Sequence, residues 1–246
     1  KREIPEIPLP SAGADTQGAI GYQIQQAVGN LLQKKKIDRK IATIITQVLV
    51  DKDDTAFSNP SKPIGPFLSE EEAKSKKHEY GWDIAKDADR GYRRVVASPK
   101  PIKIIEQNII NSLIINDYLV IAVGGGGIPV IQNEDGSLRG VPAVIDKDRA
   151  SALLAENLKA DFLIISTAIE RVCLNFGEEN QKEIMEMTLS EAKQYCDEGH
   201  FKSGSMLPKM EAAIEFLENG GKEVIITTPA LLTDAVFGDA GTKIRR

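Results

Sequence analysis

"YLVIAVGGGGIPV", residues 118–130, sets an apolar run of strand character directly against four consecutive glycines. In a parallel α/β sheet, ligands lie beyond the carboxyl ends of the strands, where backbone must approach them closely. Lacking Cβ atoms, Gly124–Gly127 can bring N–H groups against phosphoryl oxygens as an anion-binding nest. A tight turn or close helix packing also accounts for the glycines. The run is not a Walker loop, because no GK[ST] follows at the required offset. Nor is it a GxGxxG fingerprint, because position 129 is proline. A P-loop kinase and a dinucleotide-binding oxidoreductase are therefore disfavoured.

Outward from the glycines, apolar runs alternate with helical patterns. Residues 16–34 carry Ile20, Ile24, Val28 and Leu31 at helical spacing, and 40–51 reads as one buried strand. Ser69 and Glu72 form a capping-box signature that opens a charged helix to about residue 79. Isoleucines over 103–116 recur at helical spacing. A helix is expected over 149–159, a strand over 162–167 and a helix near 188–198. "GSMLPK" (204–209) opens another helix, ended by Gly220 and Gly221, and 223–228 closes as a strand. Strands separated by helices of about 10–15 residues predict an α/β fold around a mostly parallel sheet with helices on both faces. The proline-containing stretch 51–100 interrupts the alternation and reads as a small protruding subdomain within a single domain over 1–246.

The bulk properties narrow the function. With 31 basic and 36 acidic residues, a net charge of −5 gives no electrostatic basis for a nucleic-acid or anionic-membrane partner. No apolar stretch reaches the roughly 20 residues of a membrane span. Two cysteines, Cys173 and Cys196, make neither a disulfide framework nor a zinc site and fit a reducing cytoplasm. His78 and His200 are too scattered for a metal cluster, so no protein-held metal is expected.

A small anion needs only local positive charge, and two lysines stand out. Lys147 lies in "IDKD" (145–148) at a loop-to-helix junction, and Lys209 lies in the first turn of the helix opened by "GSMLPK". A cation there opposes the helix dipole and becomes sensible when an anion is bound. Asp146 or Asp148 also reads as a plain N-cap. Lys62 and the Arg90, Arg93, Arg94 cluster fall in the inserted region, where solvated surface charge is the default. Lysines against helix ends plus a glycine turn suit phosphoryl transfer, which needs positioning and positive charge more than covalent help.

The motifs "TQGAIGY", "TQVLVD", "NPSKPIGPF", "RGYRRVVASPKP", "VGGGGIPV", "GVPAVIDKDRAS", "GHFKSGSMLPKMEAA" and a late "GT" follow one another over nearly the whole chain. In that order the sequence resembles the carbamate kinases of the amino-acid kinase superfamily. The resemblance implies a three-layer αβα open sandwich with a protruding subdomain, and a cytoplasmic homodimer. It implies reversible phosphoryl transfer between carbamoyl phosphate and ADP, giving ATP and carbamate, in arginine or ureide breakdown. By position, Lys147 and Lys209 would neutralise the transferring phosphoryl group and Asp148 would orient them. Lys62 would close over carbamoyl phosphate, with Gly124, Gly125, Gly126 and Arg93 on the substrate side. Thr167, Ala168, Met206, Pro208 and Lys209 would border ADP or ATP, and Mg²⁺ would arrive with the nucleotide. The family's opening "GGNA" and "HGNGPQVG" loops do not occur in this sequence, which therefore reads as lacking an N-terminal part. Two other readings are a different phosphotransferase of the superfamily and a catalytically silent, nucleotide-binding relative.

Overall fold

Residues 7–87, 90–202 and 204–246 are described by a computed structural model, and they form two compact units divided between Lys147 and Asp148. The opening residues 1–6, Ala88 and Asp89 of the irregular stretch after residue 80, and Ser203 before the "GSMLPK" helix lie outside the described residues.

The first unit begins with helix α1 (Leu9–Lys34). It starts seven residues before the apolar spacing predicts, because Pro8 at the cap and Pro10 in the first turn cost no intrahelical hydrogen bond. The expected strand over 40–51 is interrupted, giving β1 (Ile41–Thr43) and β2 (Gln47–Val50). The interruption is filled from α1. The Gln17 side chain accepts from Thr46 N at 2.8 Å and donates to Thr46 O at 3.1 Å, so an amide side chain replaces a neighbouring strand. β1 pairs in parallel with β7 (Leu119–Ile121), and β2 pairs in parallel with β8 (Ile128–Gln132). β6 (Pro101–Ile104) and β9 (Leu138–Gly140) add antiparallel edges, giving the order β6-β2-β8-β9. The isoleucine run predicted as one helix therefore divides. Its first residues pair with β2, and helix α3 covers Gln107–Ile115. Val48, Ile104, Ile110, Val130 and Ile145 are buried at the centre of this unit.

The inserted region is β3 (Lys62–Leu68), α2 (Glu70–Tyr80), β4 (Ile84–Lys86) and β5 (Tyr92–Val96), with an antiparallel sheet ordered β3-β5-β4. The capping box of α2 is formed: Ser69 Oγ accepts from Glu72 N, and Glu72 returns to Ser69 N. Gly81 ends the helix in the left-handed conformation.

The second unit contains α4 (Lys147–Asn157), whose first residue is the last of the preceding unit, then β10 (Phe162–Ser166), β11 (Val172–Leu174), β12 (Lys182–Ile184) and β13 (Glu186–Thr188). Next come α5 (Leu189–Asp197), α6 (Leu207–Glu218), β14 (Glu223–Thr227), α7 (Leu232–Phe237) and β15 (Thr242–Arg245). The sheet order is β10-β14-β15-β13, with β10–β14 and β13–β15 parallel and β14–β15 antiparallel. One apolar face of α6, carrying Met210, Ala213, Phe216 and Leu217, packs into a core with Val224, Ile226 and Ile244. Gly221 is required there, since a Cβ would lie 2.2 Å from the Phe216 ring.

Candidate active site

Beyond β7 the backbone turns sharply. Val123, buried at 2% exposure, has φ +65°, and Gly124, Gly126 and Gly127 have φ +52°, +133° and +85°. Only glycine adopts such angles without steric cost, so Val123 stores strain that its surroundings must hold. They hold it by hydrogen bonding: Val123 N donates to Thr46 Oγ1 at 2.9 Å, and Thr46 is itself fixed by Gln17. A Cβ on Gly126 would lie 2.1 Å from Ile145 O, one on Gly127 would lie 2.2 Å from Val48 Cγ2, and one on Gly124 would strike the Gln17 side chain at 2.6 Å. Only Gly125 faces open space.

The expected cradle of several outward N–H groups is thus narrowed. Gly124 N donates to Ala122 O, and Gly126 N and Gly127 N both donate to Val123 O. Three of the four amides close the turn itself, and the amide left at the exposed crest is that of Gly125. Gly124 and Gly125 border a mostly apolar groove of 560 Å³, walled by α1 residues including Gly13, Thr16 and Ile20.

Gly126 presses against the backbone of 145–147, which brings the first three residues of "IDKD" to the glycine turn within the first unit. There Lys62 Nζ, from the first residue of β3, meets Asp146 Oδ2 at 2.7 Å. Arg93 is engaged inside the protruding subdomain. Its Nε donates to Gly65 O at 3.1 Å, its Nη1 lies 3.4 Å from Asp87 Oδ2, and its guanidinium stacks on Phe67. Arg90 covers the same ring and Arg94 covers Trp82.

In the second unit Lys209 Nζ donates to Asp148 Oδ2 at 2.7 Å, with both side chains about nine-tenths buried (11% and 9% exposed). Two further contacts align their helices: Arg149 with Glu211 at 2.7 Å, and Asn219 Nδ2 with Glu156 Oε2 at 3.0 Å. The pairs 148–209, 149–211 and 156–219 advance together, so α4 and α6 run side by side in the same direction. Their positive ends therefore lie together. Asp148 is the second residue of α4 and Lys209 the third of α6. Lys147, at the first position of α4, is exposed. The start of α6 has no side-chain cap, because Leu207 N donates to Lys202 O and Pro208 has no N–H to satisfy. Short links, 158–161 and 219–222, fold each helix back to the strand that follows, so these ends lie toward the carboxyl ends of β10 and β14. Thr167 and Ala168 follow β10 at that edge, where Thr167 N donates to Thr227 O at 2.8 Å. Met206 and Pro208 sit at the start of α6, half-buried.

Three features of this site have no local sequence signal. The partner of Lys62 lies 84 residues away, that of Lys209 61 residues away, and the Gln17–Thr46 clasp spans 29 residues. Thr227 Oγ1, buried without a hydrogen-bond partner at the end of β14, was equally invisible in the sequence.

The sequence pattern of the amino acid kinase family matches residues 23–228. The chain is 49% identical over 246 residues to the carbamate kinase-like protein YahI of Escherichia coli K12, covering 99% of this chain and 78% of that one. It is 49% identical over 243 residues to the carbamate kinase of Thermococcus kodakarensis, covering 99% and 77%. Among solved structures, carbamate kinase from Giardia lamblia bound to AMP-PNP superposes with a TM-score of 0.89 at 43% identity, covering 99% of this chain and 77% of that one.

Proposed function

The chain belongs to the amino acid kinase family, and on that premise we propose that it is a carbamate kinase, transferring a phosphoryl group reversibly between carbamoyl phosphate and ADP. The observation that carries the chemistry is the buried Asp148–Lys209 pair at the joined positive ends of two parallel helices. An ammonium group there, against two helix dipoles, suits the equatorial oxygens of a transferring phosphoryl group. Asp148 fixes that ammonium and takes no part in bond making. Lys147, exposed at the first position of α4, supplies a second cation. Lys62 and the Gly125 amide serve the carbamoyl phosphate side, together with Gly124 and Gly126 as the frame of the turn. Arg93 acts on that side through the subdomain it braces. Thr167, Ala168, Met206 and Pro208 border the nucleotide.

Among the described residues no group of three or more His, Cys, Asp or Glu side chains stands ready to hold an ion. Mg²⁺ is proposed to enter with the nucleotide, held by phosphate oxygens and water, as its reluctance to dehydrate favours. Among the described residues no helix is long and apolar enough to cross a membrane, and both cysteines are free. A cytoplasmic homodimer is proposed, and the exposed Ile20, Tyr22, Ile24 and Leu31 of α1 support the second copy.

The deciding assay is ADP-dependent formation of ATP from carbamoyl phosphate by this chain, with the mass in solution recorded by light scattering. ATP formation is expected, from a particle of twice the chain mass. Nucleotide binding without ATP formation would instead establish the silent reading, which the kinase-like name of one relative at 49% identity keeps in play.

A further inference from the structure

We propose that Asp146 is a positioning residue for Lys62, so that the two aspartates of "IDKD" each hold one lysine: Asp146 holds Lys62 and Asp148 holds Lys209. This rests on the proposed role of Lys62 toward carbamoyl phosphate. Asp146 is the residue of the motif to which the sequence alone assigns only a helix cap. The structure gives it a charged partner at 2.7 Å instead, and its side chain is 12% exposed against 34% for Lys62. The carboxylate is the fixed member and the lysine the mobile one. A lysine side chain has four rotatable carbons and a strongly hydrated head, so an untethered ammonium samples many positions before meeting an anion. Asp146 sits on a segment whose own placement is rigid, because Ile145 is fully buried and the backbone of 145–147 packs against Gly126. It therefore presents the Lys62 ammonium at a fixed point beside the glycine turn.

The mixed alternative is that Asp146 merely supplies negative charge at the start of α4, a stabilising role that needs no lysine. A double-mutant cycle separates the two. Asp146→Asn, Lys62→Ala and the double variant would be compared with wild type for kcat/KM toward carbamoyl phosphate and KM for ADP, each with a thermal melt. Asp146→Asn is expected to lower kcat/KM for carbamoyl phosphate about tenfold. It should leave KM for ADP unchanged and cost nothing further in the Lys62→Ala background. Equal losses in both backgrounds, or no loss in either, would overturn the proposal.

A second readout needs no turnover. The rate of reductive methylation of Lys62, followed by peptide mass spectrometry, is expected to rise severalfold in Asp146→Asn while other exposed lysines are unchanged. An unaltered Lys62 rate overturns the tether even if the wild-type protein forms no ATP, whereas an inactive wild type with a faster Lys62 in the variant overturns only the kinase reading. Should Asp146→Asn not fold, Asp146→Ser takes its place in both measurements.

Discussion

At Lys209 the proposed chemistry and the stability of the fold meet in one side chain. Its ammonium is buried against Asp148, and removing one partner of such a pair leaves a charge that the interior tolerates poorly, costing about 3–5 kcal/mol. Lys209→Ala is therefore expected to lose orders of magnitude in turnover and to melt at lower temperature as well. Replacing both charges, Asp148→Asn with Lys209→Met, should recover much of the melting temperature while turnover stays lost. Recovery of turnover in the double variant would show that the ammonium is not needed. Lys147 and Lys209 stood out in the sequence because a cation at a helix start opposes the helix dipole. Spacing gave neither the partner of Lys209, 61 residues away, nor that of Lys62, 84 residues away, and only the resemblance set Asp148 beside Lys209.

At the scale of elements, what the sequence shows best is what neighbouring residues decide among themselves. The Ser69–Glu72 box and the start of α6 are local arrangements, and they stand where the pattern places them. The undivided strand over 40–51 fails because the agent of its interruption, Gln17, belongs to another element. The early start of α1 escapes because prolines usually signal irregular chain, although the first helical turn accepts them. The glycine turn is a mixed case: its position was plain, yet most of its amides close the turn itself. That division predicts opposite outcomes for adjacent substitutions. Gly126→Ala forces a Cβ to within 2.1 Å of Ile145 O and should destabilise the protein by about 3 kcal/mol or more. Gly125→Ala meets nothing within 4 Å and should melt like wild type while weakening carbamoyl phosphate binding. Chemical denaturation and substrate titration of the two variants check both halves. A destabilised Gly125→Ala would contradict the geometry.

For the molecule as a whole, the boundary between the two compact units falls between Lys147 and Asp148, inside the tetrapeptide whose aspartates each anchor a lysine. Each unit carries its own ion pair, built within its own fold. The first unit also holds a strained turn. Val123 and three of the four glycines after it sit in left-handed backbone, and their geometry is kept by the Gln17–Thr46–Val123 hydrogen bonds. Because strain at Val123 is released when those bonds open, this turn is expected to give way on warming before a core built around Phe216 and Ile226 melts. Heating should accordingly silence the enzyme several degrees below its calorimetric transition, reversibly on cooling, and Gln17→Leu should widen that interval. Loss of activity that coincides with the calorimetric transition would show the turn to be as durable as the rest.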